Sequence, residues 1–384
     1  MTRRKATGTG ASPRVRASPL PAGAAQDPSL IPPYPPSWFD RLSARIDRLP
    51  ISPYVVYVLF GLVSFIALTL AQWAGGEYPP GEFRGFHAFL AFLLPLNLAL
   101  MHYLDHLAAN ALETFRPALA ATPEEAHDLQ YRVTTLPART AARIASAVVL
   151  ANILLVLIDH LILRLSGEAS MIELAPNLFQ VAATPFSLAL TGALVLALWW
   201  ISGTFIYHTV HQLRVISRIY SRHTRLRLLH LGPLYTFSRV TQRTAIGILV
   251  AAYAFLSSAA GFREQPALFL ASGIVFGTIA AATFAWPLLG VHRLLVAEKE
   301  RRLDENTRRL ETGIADLHGR MDRRRLSRMD DLNKALASLD LERAMLARIP
   351  TWPWDPGTLR GLVAALLVPL IIWLIQLGAE RLLP

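Results

Sequence analysis

Residues 292–350 read HRLLVAEKERRLDENTRRLETGIADLHGRMDRRRLSRMDDLNKALASLDLERAMLARIP and decide how the chain is organised. The stretch is charged, rich in Ala and Leu, and stands between two strongly apolar segments. Val296, Leu303, Leu310, Ile314, Leu317 and Met321 fall at heptad positions, and a second register runs through Met329, Leu332, Leu336, Leu339 and Leu346. The two registers are out of phase by one residue across 322–325. A single helix of this length would extend roughly 85 Å at 1.5 Å per residue. Both ends must nevertheless meet the same membrane face if the flanking apolar segments cross a bilayer. The sequence therefore predicts an antiparallel helical, coiled-coil hairpin with arms of roughly 42 Å. It folds back near Gly319 and carries Asp322-Arg323-Arg324-Arg325 close to its tip. Each arm has one apolar seam to satisfy against the other arm, a second copy of the chain, or the neighbouring cytoplasmic helices; the partner expected for 292–350 is a cytosolic protein or a second copy.

The segments around this block set the fold class. The chain is 53% hydrophobic with a mean hydropathy of +0.36. Apolar runs long enough to cross about 30 Å of hydrocarbon as helices recur along it. Seven spans are predicted, at 51–73, 86–107, 144–165, 185–207, 245–262, 267–289 and 361–378. The class is all-α, a polytopic α-helical membrane protein. The last span, with Pro369 in its middle, is the weakest of the seven. The domain reading assigns 1–36 to a disordered basic Pro/Ala-rich tail and 37–50 to an interfacial amphipathic helix. A membrane domain with six spans occupies 51–291 and includes an Arg-rich cytoplasmic loop at 209–244. The hairpin at 292–350 follows, then a Trp/Pro elbow and the last span at 351–384. That elbow, Ile349-Pro350-Thr351-Trp352-Pro353-Trp354, cannot continue a helix and is expected to join hairpin and membrane domain flexibly. The first apolar run begins some fifty residues in and is long enough to stay as an anchor, so no cleavable signal peptide is expected.

Charge orients the spans. The formal net charge is +11, and 35 of the 38 basic residues are Arg. Residues 1–50 carry eight Arg or Lys against three acids, and 209–244 carry seven Arg and no acid. The three connections at 74–85, 166–184 and 263–266 together hold two Arg and five Glu. Placing the basic segments in the cytoplasm gives a multi-pass plasma (inner) membrane protein, N-terminus inside and C-terminus outside. Absent cysteines exclude disulfides, Cys-ligated zinc and iron–sulfur clusters.

Local signals place several helices. Ser37 and Asp40 frame a helix start in which Phe39, Leu42, Ile46 and Leu49 share one face. Thr122-Pro123-Glu124-Glu125 is a capping box with Pro at the first helical position. The fourth span continues past the membrane through Leu213, Ile216 and Ile219, up to a break at Gly232-Pro233.

The candidate site residues form three groups. Arg214, Arg218, Arg222, Arg225 and Arg227 make a stripe suited to anionic lipid headgroups, each basic group contributing about 1 kcal/mol near such a surface. No aromatic side chains alternate with them as base-stacking platforms, so nucleic acid is not an expected partner. His102, Asp105, His106, His208 and His211 gather near the cytoplasmic ends of the second and fourth spans. Their i,i+4 and i,i+3 spacings put two imidazoles on one helical face, as a metal or haem site would need. The main expectation is a cluster satisfied by water at the interface, with no metal, no cofactor and no catalytic residue assigned. Gly273, Gly277 and Ala281 form a small-residue row for close helix packing within the chain or between copies. Asn97 and Asn152, polar groups near mid-depth of the second and third spans, are expected to hydrogen-bond each other.

No Walker loop, HExxH helix or G-x-S-x-G elbow is present. The leading functional expectation is a non-enzymatic interaction or sensory protein acting through its hairpin. A transporter or channel for a small solute comes next. An intramembrane redox or lipid-modifying enzyme using the histidines is the third.

Overall fold

Seven helices long and apolar enough to cross a membrane form the body of the protein, matching the number of runs in the sequence. They are seen in a computed structural model that describes residues 32–83, 85–166, 184–226, 228–258, 266–323 and 329–382. No strand is present among the described residues, and only two isolated bridge pairs occur. The helices are α1 (Trp38–Ile46), α2 (Pro53–Ala74), α3 (Gly85–Phe115), α4 (Pro123–Thr134), α5 (Ala138–Ser166) and α6 (Pro185–Arg222). They continue with α7 (Thr236–Ser258), α8 (Pro266–Ala285), α9 (Leu289–Asp322), α10 (Met329–Arg348) and α11 (Pro356–Leu382). Up to residue 31, the expected tail lies outside the described residues.

The α3 helix is the centre of the arrangement, packing against α2, α6 and α7, while α6 carries α5 and α7 carries α8 and α11. Both α3 and α6 outlast a bilayer at one end, and the extra turns make a second core there. Phe115, Tyr220 and Phe237 meet pairwise with centroids 5.3–5.7 Å apart. Ile216, Ile219, Leu234, Leu288 and Val291 close around these rings. Apolar burial independent of any lipid therefore holds this end together, which we call the basic end because the Arg stripe leaves from it.

Two starts follow the sequence closely. Ser37 accepts from the Asp40 N–H while Asp40 accepts from the Ser37 N–H, and Thr122 with Glu125 does the same at α4. What surrounds them differs from expectation. Phe39 and Ile46 on the apolar face of α1 pack onto protein, with Phe39 fully buried beside His208 of α6, while Leu49 is exposed. Trp38 donates its indole N–H to Thr204. Tyr34 to Pro36, assigned above to the tail, are likewise held: Tyr34 donates to the Thr135 carbonyl and accepts from Tyr131. The α6 helix ends at Arg222, ten residues before Gly232, since Thr224 bonds back to the Ile219 carbonyl and pairs with Leu119. Pro95 breaks nothing. It lies inside α3, and the missing side chain of Gly61 leaves room for Phe92 and Pro95 beside α2.

The charged block forms α9 and α10, and their contacts pair 299 with 347 and 349, 306 with 339 and 342, and 313 with 336. The two helices thus lie side by side in opposite directions, with 324–328 outside the described residues. Lys299 donates to the Ala347 and Ile349 carbonyls, satisfying the open end of α10. Asn306 is buried in the seam and donates to Leu339 and Glu342. Gly313 makes room for Leu336.

The elbow is not loose. Trp352 stacks between His292 at 3.8 Å and Trp354 at 4.3 Å, and Trp354 packs on Phe284. Pro350 and Pro353 keep α10 from continuing, but the aromatic stack fixes the chain where they leave it.

Candidate functional site

A cavity of about 570 Å³ inside the bundle is walled by α3, α5, α6, α7 and α8. Helical spacing builds each wall. Phe86, Phe89, Leu90, Leu93 and Asn97 lie on one face of α3, and Leu198, Phe205 and Thr209 on one face of α6. Small residues supply the space: Ala251 and Ala252 on α7 stand opposite these larger side chains. None of the lining residues is ionisable. Ile206 and Ile279, both exposed on the apolar surface, line it too, so the cavity opens sideways.

Two polar groups of the lining residues have no hydrogen-bond partner among the described residues. Asn97 is 4% exposed and its amide makes no hydrogen bond with the described residues. The Thr209 hydroxyl is buried and makes no hydrogen bond with the described residues. The Asn97 amide gives the cavity a hydrogen-bonding group for a ligand that carries one of its own. Asn152 also faces this space, and it donates to the Val148 carbonyl one turn back instead of to Asn97. The expected Asn97–Asn152 bond is therefore not formed, because the cavity lies between their two helices.

Next to the cavity, at the basic end, the predicted histidine cluster divides in three. His208 Nε2 lies 2.8 Å from Asp105 Oδ1, and Gln212 donates to the same oxygen at 3.3 Å. Gln212 also donates to the Val133 carbonyl. His208 Nδ1 and Gln212 Oε1 are buried without a hydrogen bond from the protein. His211 turns to the Arg132 carbonyl at 2.9 Å and to the Tyr34 hydroxyl at 3.4 Å. His102 and His106 join Asp47, with their Nε2 atoms 2.9 Å apart, and these three side chains could hold a metal ion. His102 and His208 are each 1% exposed and bonded by protein groups, whereas the His106 side chain is 45% exposed.

Asp40 lies beside this cluster, accepting from the Ser37 and Leu136 N–H groups through Oδ2 while Oδ1 stays unpaired. Burial pushes its carboxyl above the usual range, and the Ser37 and Leu136 bonds pull the other way.

Arg214, Arg218, Arg222 and Arg225 are all exposed, and none forms an ion pair among the described residues. Arg227 lies outside the described residues. On α8, Gly273 meets open space and Ala281 is exposed, while Gly277 makes ordinary contact with Leu366 of α11. The tight approaches inside the chain occur at other glycines. A Cβ at Gly203 would lie 2.8 Å from the Ala145 backbone, and Gly247 abuts Leu100.

Compared with family models, curated proteins and solved structures, the chain matches none.

Sequence reasoning missed Asp47 and the cavity. Asp47 sits 55 residues from His102, just past a short amphipathic helix, and nothing local marks it as the partner of a distant histidine. The cavity had a partial signal in Asn97 and Asn152, two polar side chains at membrane depth. Volume missing between helices leaves no pattern in sequence.

Proposed function

We propose that this chain is an integral membrane protein that crosses the bilayer seven times and binds a largely apolar, uncharged amphiphile of lipid type in its lateral cavity. The observation that carries the reading is a largely apolar wall without an ionisable side chain, on which the Asn97 amide has no hydrogen-bond partner among the described residues. The cavity volume falls within the roughly 300–1,000 Å³ of ligand pockets. Its side opening suits entry from hydrocarbon, and the missing ionisable groups argue against a charged solute. The basic end faces the cytoplasm of the plasma (inner) membrane by the positive-inside rule, with the unpaired Arg214, Arg218, Arg222 and Arg225 against anionic headgroups.

A second reading concerns α9 and α10, which we take as a cytoplasmic coiled-coil hairpin that engages a protein partner. Leu303, Leu310, Leu317, Leu332, Leu336 and Leu339 stay only half-buried in the two-helix seam. Leu341 and Met345 are 64% and 54% exposed. A third helix, from a cytosolic protein or a second copy, would complete that seam.

Solvent extraction of the purified protein followed by mass spectrometry tests the cavity reading. One amphiphile should accompany the wild type in near-stoichiometric amount and be reduced at least tenfold in Ala252→Phe combined with Asn97→Leu. Equal retention by wild type and variant, or no retained amphiphile in either, refutes it.

A further inference from the structure

We propose that Asp47, His102 and His106 form a binding site for a first-row divalent transition-metal ion at the basic end of the bundle. The proposal is independent of the cavity. His102 and His106 are one turn apart on α3, so both imidazoles leave the same face. Asp47 follows the last residue of α1, whose packing onto the bundle carries the carboxylate to them.

His102 Nε2 lies 2.9 Å from His106 Nε2 and 3.0 Å from Asp47 Oδ1. His106 Nε2 lies 3.7 Å from the same oxygen. Bonds of about 2.0–2.2 Å to one ion separate neighbouring ligand atoms by about 3.0–3.5 Å, so the triangle needs adjustments of a few tenths of an ångström.

Protons alone satisfy these three atoms poorly. His102 Nδ1 faces the Tyr57 hydroxyl at 3.0 Å and Ser43 Oγ at 3.3 Å. When Nδ1 carries the proton and donates to one of them, Nε2 presents a bare lone pair to a second nitrogen and a carboxylate oxygen. A single proton on either Nε2 can bridge only two of the three atoms. A cation meets all three, and Tyr57 and Ser43 then hold His102 in the tautomer that frees Nε2.

Access fits a binding site as well. His102 is buried, whereas the side chains of His106 and Asp47 are 45% and 39% exposed. An ion can enter from the aqueous side and keep open coordination positions there. Two imidazoles with one carboxylate favour zinc, iron(II), cobalt or nickel over magnesium or calcium.

The test uses the full chain without a histidine tag, stripped with chelator in detergent and titrated with cobalt(II). The wild type should bind one ion per chain with visible d–d absorption that zinc(II) abolishes by displacement. His106→Ala and Asp47→Asn change exposed side chains, and each should weaken binding at least tenfold while the circular dichroism spectrum is retained. His127→Ala, on the exposed face of α4, should leave the titration unchanged. Absence of cobalt absorption in the wild type overturns the site, as does wild-type affinity in both folded ligand variants.

Discussion

Removing either member of the His208–Asp105 pair should destabilise the basic end strongly, and removing both should cost less than the sum. Asp105 Oδ1 receives His208 Nε2 at 2.8 Å and Gln212 Nε2 at 3.3 Å, with the His208 side chain 2% exposed. In His208→Leu one hydrogen bond to a carboxylate is lost, worth about 1.5–3 kcal/mol, and the buried acid keeps only the longer Gln212 contact. Asp105→Leu instead strands the buried His208 Nε2, at about 1–3 kcal/mol, and leaves Gln212 only its Val133 and Leu104 carbonyl partners while an apolar side chain enters a polar site. Each single change should therefore lose roughly 3 kcal/mol, consistent with breaking a buried pair. The double change leaves no charge without a partner, so a coupling of about 2 kcal/mol should remain. Reversible unfolding in mixed micelles, followed by circular dichroism for wild type, both single variants and the double variant, measures this. Additivity within about 0.5 kcal/mol would show that the pair does not stabilise the folded state as argued.

Gly203→Leu should destabilise by about 1–3 kcal/mol, since its side chain meets the α5 backbone at Ala145, whereas Gly273→Ala, facing open space, should change thermal stability by less than about 0.5 kcal/mol. The pH dependence of α11 should depend on Asp355, whose Oδ1 accepts the Thr358 N–H at the helix start. That bond holds its carboxyl below the usual range, so its stabilisation is present above the ordinary carboxylate pKa and is lost as pH falls through the lowered folded-state value. Asp355→Asn should be less stable than wild type by up to about 1 kcal/mol at neutral pH and converge on it in acid; a gap that widens in acid contradicts the assignment.

Much of the fold was legible because it rests on local rules. The seven apolar runs, the Thr122 and Ser37 caps and the continuation of α6 past membrane length all depend on residues within a few positions of one another. Burial was not legible. Phe39 and Ile46 give α1 an apolar face, but sequence does not say whether lipid or α6 covers it. The histidines were found by spacing on their own helices. Asp105 was found with them, but Asp47 and the Arg132 carbonyl were not, because they arrive through packing between distant segments. The elbow misled for a related reason: proline predicts where a helix stops, while the stacking of Trp352 between His292 and Trp354 comes from the return of the chain.

A density map of the protein in a lipid nanodisc tests the central claim most directly. Elongated density should lie between α3, α5, α6, α7 and α8 and reach Asn97 and Thr209 at its polar end. Helices closed on one another at that level, with Asn97 and Thr209 bonded to protein groups and no room between them, would contradict it.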